Sequence, residues 1–433
     1  MWFVRAGLAT GTAALLGVTL TAAASGSAAG GHVPHGQLTV GYASSRDLAG
    51  ALRAAGGVVV RRLPALHVAE VRAPEPARAA ALLRRAPGIR YVERAAARDS
   101  LVEPAVSLAA TDPANGWQWQ YHATRGDAVP DGVLRAASRI RIAVIDTGAD
   151  LAAPDLAAKR PRGHNVLTGK AGVRDVNGHG TFVASVAAGS VTNDDGIAGA
   201  GGDAQLLVVK AGTSTGSFSD VDEAAAVVYA VDHGAKIPNL SLGGAHTSST
   251  ERRAIRYAVR HGALVVAAAG NAYAQGDPAE YPAALLQPVG SDGAGGAGLA
   301  VAASTEAGGR AAFSSTGSWV SLAAPGENVF GDVSALSSPL FYPRSALPGS
   351  NSGLYGYGSG TSFAAPQVAG AAALVWAADP SLTAQQVAAV LKETASGRGT
   401  WTPELGFGVI DVAAAVDRAQ AVAAAALGLR RLR

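Results

Sequence analysis

Ile140-Arg141-Ile142-Ala143-Val144-Ile145-Asp146-Thr147-Gly148 is the stretch on which the fold turns. It is short, nearly continuous in apolar residues, and runs directly into a carboxylate and a turn glycine, as a buried strand does. Four similar runs follow, at residues 206–209, 237–242, 263–268 and 299–303, with helical stretches at 219–232 and 250–260 between them. Ser219 and Asp222 form an N-terminal cap pair. Both helices close on His-Gly-Ala (His233-Gly234-Ala235 and His261-Gly262-Ala263), where glycine supplies a left-handed C-cap. Apolar strands alternating with helices predict an α/β fold with a doubly wound, mostly parallel sheet. Ligands of such sheets bind beyond the carboxyl ends of the strands.

The polar residues at those ends are few. Asp146 closes the first strand, and Asn271 follows the fourth in Ala267-Ala268-Ala269-Gly270-Asn271. Asn177-Gly178-His179-Gly180-Thr181 opens a helix to about residue 188, and a histidine between two glycines leaves room for a substrate backbone. Further on, Gly358-Ser359-Gly360-Thr361-Ser362-Phe363-Ala364-Ala365-Pro366 leads into a helix that is apolar all round, hence buried. Pro366 is expected in its first turn. Ser362 then stands at a helix N-terminus, where free N–H groups favour negative charge. Most serines so placed are caps, so Ser362 acquires catalytic meaning only together with the other ends.

Composition narrows the classes. A chain of 433 residues, 48% hydrophobic and 15% charged, is folded and large enough for two to three domains. The net charge of +3 is spread out, with no basic run flanked by aromatics to suggest nucleic acid. The absence of cysteine excludes disulfides, cysteine–zinc sites and thiol catalysis. Residues 1–29 read as a secretory signal: Arg5, an apolar region over 8–21, then Ser27-Ala28-Ala29. No other run is long enough to span a bilayer, and a basic tail over 426–433 closes the chain. Residues 37–96 read as a small α+β unit, with strands at 37–42, 57–63, 67–71 and 89–93 and helices at 47–55 and 76–85. Residues 96–111 read as an exposed linker and a cutting site.

Asp, His and Ser in that chain order, with Asn between His and Ser, resemble the subtilisin-family (subtilase) serine peptidases. Asp146-Thr147-Gly148, His179-Gly180-Thr181 and Gly360-Thr361-Ser362-Phe363-Ala364-Ala365-Pro366 match that family's motifs nearly word for word. The 37–96 unit, ending in Tyr91-Val92-Glu93, resembles its inhibitor-like propeptide. The resemblance implies a subtilisin-like α/β domain over 111–425 behind a propeptide over 30–110. It implies catalysis by Asp146, His179 and Ser362, an oxyanion donor in Asn271, and activity that falls in acid as the imidazole protonates. By the same resemblance Ser241, Leu242 and Gly243 form one wall of a substrate pocket and Ala268, Ala269 and Gly270 the other. Residues 213–216, Thr213 to Gly216, are the edge that pairs with an extended substrate. Small uncharged walls imply a broad or apolar preference. Structural calcium is implied at Asp155, Val191, Asn193, Asp195 and Ile197, with Asp112 as a further ligand; no organic cofactor is implied.

These readings describe a secreted, monomeric endopeptidase made as a zymogen, acting on proteins or peptides and held by its own propeptide. A dedicated processing peptidase for one exported partner is the alternative. A peptide-binding pseudoenzyme would not need the four residues together. An α/β-hydrolase would carry Gly-x-Ser-x-Gly and the order Ser, Asp, His. Pro238 is odd in a central strand and suggests a bulge. Two insertions, 287–298 and 331–357, have no assigned role, the second being placed to shape the cleft.

Overall fold

Ile142 and Val144 point to one side of a central sheet and Ala143 and Ile145 to the other, and both sides are buried. That is why this strand reads as a continuous apolar run. The structure is a computed structural model that describes residues 37–94, 96–101, 117–191, 193, 196–287, 290–337 and 354–431, with side chains as far as 425. The signal segment, Asp112, Asp195 and most of the second insertion lie outside the described residues.

The N-terminal part is β1 (Gln37–Tyr42), α1 (Ser45–Ala55), β2 (Val58–Leu63), β3 (Val68–Arg72), α2 (Pro76–Arg85) and β4 (Ile89–Glu93). Its antiparallel sheet has the order β2-β3-β1-β4, and α1 and α2 cover a core built on Leu48, Leu83, Val40 and Val71. The next strand, β5 (Ala97–Ser100), corrects the linker reading. Residues 97–100 have no strand-like pattern because their partners are distant: β5 lies in the middle of a three-stranded antiparallel sheet.

After the short helices α3 (Trp119–Ala123) and α4 (Asp131–Ala136) come β6 (Arg141–Asp146), α5 (Pro154–Lys159), β7 (Arg162–Asn165), α6 (His179–Ala188) and β8 (Gln205–Lys210). The chain continues as β9 (Ser217–Ser219), α7 (Asp220–Asp232), β10 (Ile237–Leu240), β11 (Leu242–Gly243), α8 (Ser249–Arg260), β12 (Val265–Ala268), β13 (Gly298–Ser304) and β14 (Leu322–Pro325). A hairpin of β15 (Val329–Asp332) and β16 (Tyr355–Gly358) precedes α9 (Thr361–Ala378), α10 (Ala384–Thr394) and α11 (Val412–Arg431). The central sheet has seven parallel strands in the order β14-β13-β12-β10-β6-β8-β7. The chain leaves β6 to build β7 and β8 on one side, then crosses to β10 on the other. The carboxyl end of β6, where Asp146 sits, is therefore the switch point at which such sheets bind ligands. Helices α7 and α8 cover one face; α6, α9, α10 and α11 cover the other.

Three local expectations change. Pro366 lies in the second turn of α9, because the helix begins at Thr361. It cannot donate to the carbonyl of Ser362 four residues back, and Ser241 Oγ donates to that carbonyl instead, at 2.8 Å. No bulge forms at Pro238: register with β6 is continuous from Ile237 to Leu240, and the ladder to β12 starts only at Asn239. The C-terminal tail is not separate, since α11 runs on to Arg431. Among the described residues no helix is long and apolar enough to cross a membrane.

Candidate active site

The end of β6 and the start of α6 are tied together by buried polar groups. His179 Nδ1 lies 2.7 Å from Asp146 Oδ1, and both side chains are fully buried. Asp146 Oδ1 also accepts the Thr147 N–H. Asp175, which the sequence reading missed, fastens the two segments. One of its oxygens accepts Thr147 Oγ1 and Gly178 N, and the other accepts the N–H and hydroxyl of Thr181. Gly180 serves packing rather than substrate access. A Cβ there would stand 2.2 Å from Gly148 O and 3.1 Å from Asp146 Cβ, so only glycine lets α6 start this close to β6. The open side of Gly180 is thus taken up by the protein's own backbone.

Ser362 is the second residue of α9 and is buried. Its Oγ donates to Ser241 O at 2.9 Å, which with the Ser241–Ser362 bond makes a reciprocal pair between this helix and the β10–β11 segment. Phe363 packs against Phe182, ring centroids 4.4 Å apart, and against His179 at 5.6 Å. Asn271 is oriented from its oxygen side: Oδ1 accepts Thr361 N and Thr361 Oγ1, which leaves Nδ2 directed elsewhere. His179 Nε2 and Asn271 Nδ2 are buried and have no hydrogen-bond partner among the described residues. Most buried polar groups are paired, so each of these two nitrogens has the capacity to meet a substrate group.

The chain's own strand β5 lies along the cleft. Arg98 and Asp99 pair with Phe218 and Ser217 of β9, Ser100 and Asp99 with Leu242 and Gly243 of β11, and Ser100 N donates to Gly216 O. Leu101 follows, with its carbonyl against Gly360: a Cβ on Gly360 would be 2.5 Å from Leu101 O and 3.3 Å from Asn271 Nδ2. The cavity beside Leu101 is lined by Gly243, Gly244, Ala245, Asn271, Ala272 and Glu280, among others. One expected wall, Ser241 to Gly243, is therefore at the cleft. Ser241, Leu242, Ala268 and Ala269 are all buried, and Gly270 backs onto Glu280, which lines the same cavity. Thr213 is not on the pairing edge. It starts a turn closed by the Gly216 N–H, and the chain straightens only at Ser217.

Glu280 was not singled out from the sequence, where it lies in an irregular stretch. It accepts Asn271 N at 3.1 Å, and burial pushes its carboxyl up to about 7. Around the expected cation site, Asp155 accepts Asn193 Nδ2, Ile197 N and Tyr355 OH, and the Asp332 carboxyl is hydrogen-bonded to it. Two adjoining buried carboxyl groups beside an amide side chain and loop carbonyls suit a hard cation. Among the described residues no cluster of three His, Asp or Glu forms a metal centre.

The N-terminal part docks on α7 and α8. Glu93 takes the Ser249 N–H on both carboxylate oxygens at 3.1 Å, at the start of α8. Tyr91 OH meets Thr250 Oγ1, and Arg61 bridges Glu70 to Asp222 of α7. Leu66 and Val68 join the core on that face.

Known proteins share this arrangement. The fervidolysin N-terminal prodomain family matches residues 20–94. Thermitase of Thermoactinomyces vulgaris is 36% identical over 272 residues, 62% of this chain and 86% of thermitase. The thermophilic serine proteinase of Bacillus sp. (strain AK1) is 36% identical over 290 residues, 66% of this chain and 64% of that protein. Fervidolysin from Fervidobacterium pennivorans, a keratinolytic enzyme related to subtilisin, superposes with a TM-score of 0.76 at 26% identity, over 89% of this chain and 62% of that one. The chain thus spans under two thirds of the AK1 proteinase and of fervidolysin. The Subtilase family matches residues 137–408, from just before β6 to beyond α10, and this chain belongs to that family.

Proposed function

We propose that the chain is the zymogen of a secreted serine endopeptidase and that its propeptide ends at Leu101. The supporting observation is the course of residues 97–101, which run as a substrate would between β9 and β11 and bring the Leu101 carbonyl to Gly360 and Asn271. Ser362 Oγ leaves Ser241 O for His179 Nε2, gives up its proton there and attacks the Leu101 carbonyl carbon. Asp146 fixes the imidazole through Nδ1 and stabilises the imidazolium. Asn271 Nδ2, whose hydrogens are otherwise unclaimed, and the Ser362 N–H hold the oxyanion. His179 returns the proton to the Val102 amine as the bond breaks, and water then releases the acyl group from Ser362. The unit 30–101 stays docked as an inhibitor, and the peptidase begins at Val102.

Intact mass of the precursor without residues 1–29, beside its Ser362→Ala form, tests this. Wild type should yield a fragment ending at Leu101 while the variant stays whole; a wild-type chain left intact, or cut elsewhere, would overturn it.

For calcium, Asp155 and the side-chain oxygen of Asn193, with carbonyls of Val191 and Ile197, would hold the ion, and Asp112 and Asp195 would complete the set. Calcium would neutralise the Asp155–Asp332 pair and pin the loop after α6. Adding EDTA to the processed enzyme should lower Tm by several degrees, reversed by calcium; an unchanged Tm removes the assignment.

A further inference from the structure

Arg98 is fully buried, and it is the fourth residue back from the proposed cut. Its guanidinium lies among three carboxylates: Nη2 is 2.9 Å from Glu251 Oε1, Nε is 3.6 Å from Glu223 Oε2, and Asp220 is next to both. Nη1 donates to Ala97 O at 2.8 Å. The aliphatic stem crosses Gly244, where a Cβ would come within 3.2 Å of Arg98 Cδ, so glycine there opens the way into the pocket. All three acids belong to the peptidase part, on α7 and α8.

We infer that Asp220, Glu223 and Glu251 form a specificity pocket for arginine at the fourth position before the cut bond, in protein substrates as well as in the propeptide. This rests on the peptidase reading above. The backbone register is what extends it beyond the propeptide: β5 is held by main-chain pairing with β9 and β11, which any extended peptide can reproduce. A substrate in that register delivers its fourth side chain to the same acids. Two of them have fixed partners of their own. Asp220 accepts Ala96 N, a main-chain group that every peptide but proline supplies, and Glu251 accepts Thr247 Oγ1. Among the described residues Glu223 Oε2 and Asp220 Oδ2 are both buried with no hydrogen bond, and Glu223 Oε2 faces the Arg98 guanidinium at 3.6 Å. Buried carboxylates without a cation are costly, and burial together with Glu251 pushes the Glu223 carboxyl well above its usual range while Arg98 opposes this. An apolar side chain would leave that cost in place. A planar cation with five donors offsets it, and lysine does so less fully.

The test uses mature enzyme and four peptides, acetyl-Ala-Ala-Xaa-Asp-Ser-Leu-p-nitroanilide with Xaa as Arg, Lys, Leu or Ala, which keep the main-chain groups of positions 96 and 97. The expected kcat/KM is about 30-fold higher for Arg than for Leu or Ala, the scale of a buried charge pair. Glu223→Gln and Glu251→Gln should each cut the Arg-to-Ala ratio by roughly tenfold. If these precursors do not mature, the same substitutions are made together with Arg98→Leu, which relieves the unmatched charge in the propeptide. Equal rates for Arg, Leu and Ala overturn the pocket while leaving the peptidase intact, as does labelling of Ser362 by a fluorophosphonate with no cleavage of the Arg peptide. Failure of both labelling and cleavage removes the peptidase reading and this inference with it.

Discussion

Glu280 shows how one side chain can set a pH dependence. It sits in the fold at about 7 against a reference of 4.5, because burial disfavours its charge more than the Asn271 and Ala272 N–H groups favour it. The folded precursor therefore holds this proton more tightly than the unfolded chain does. Stability from this group is complete below pH 4.5 and is lost as pH rises through about 7, a loss of about 3 kcal/mol. Glu280→Gln, made in the inactive Ser362→Ala background, keeps an acceptor for the two N–H groups and carries no charge. Its Tm should stay near that of its parent at pH 4.5 and exceed it by several degrees at pH 8. Equal Tm differences at both pH values would show that Glu280 titrates normally. Neither Glu280 nor Asp175 stood out in the sequence, since each acts through partners brought together only by the fold.

Elements with strong local signals were legible before the structure. Residues 76–85 and 89–93 match α2 and β4 to the residue, because an amphipathic helix with an N-terminal proline and a short β-branched run carry their own limits. The strand β5 was not legible: Ala-Arg-Asp-Ser has low strand propensity, and its order comes from two neighbours more than a hundred residues away. The motif Tyr91-Val92-Glu93 was recognised by resemblance and acquires a physical reason here. Glu93 places a carboxylate on the positive end of α8 while also taking a backbone N–H that the helix cannot satisfy. Glu93→Ala should weaken the docked complex by about 1.4 kcal/mol, so the cleaved propeptide should leave roughly tenfold faster. The lag before peptidase activity after processing measures this, and an unchanged lag would assign the docking to Arg61, Tyr91 and Leu66 alone.

At the scale of the whole molecule, the seven-stranded sheet sets where chemistry can happen and, on the proposed zymogen reading, residues 37–101 would set when. The sheet was readable from strand spacing, since its strands are buried on both faces. The surroundings of Arg98 were not: the acids about it lie on α7 and α8, away from every motif that the sequence offers. An arginine requirement four residues before the cut would narrow the enzyme toward processing defined sites, the alternative raised by the sequence.

On the proposed cut between Leu101 and Val102, strand β5 would stay joined to a folded unit. A free tetrapeptide would dissociate readily, but one tethered to a domain docked through Glu93, Tyr91 and Arg61 is presented to the cleft at an effective concentration in the millimolar range. Cleavage alone would then leave the site blocked. The tether fails when the small domain unfolds or is itself cut, which turns an intramolecular ligand into a dilute one. Its modest core, centred on Leu48, Leu83, Val40 and Val71, would thus act as a timer: the less stable that core, the sooner peptidase activity would begin.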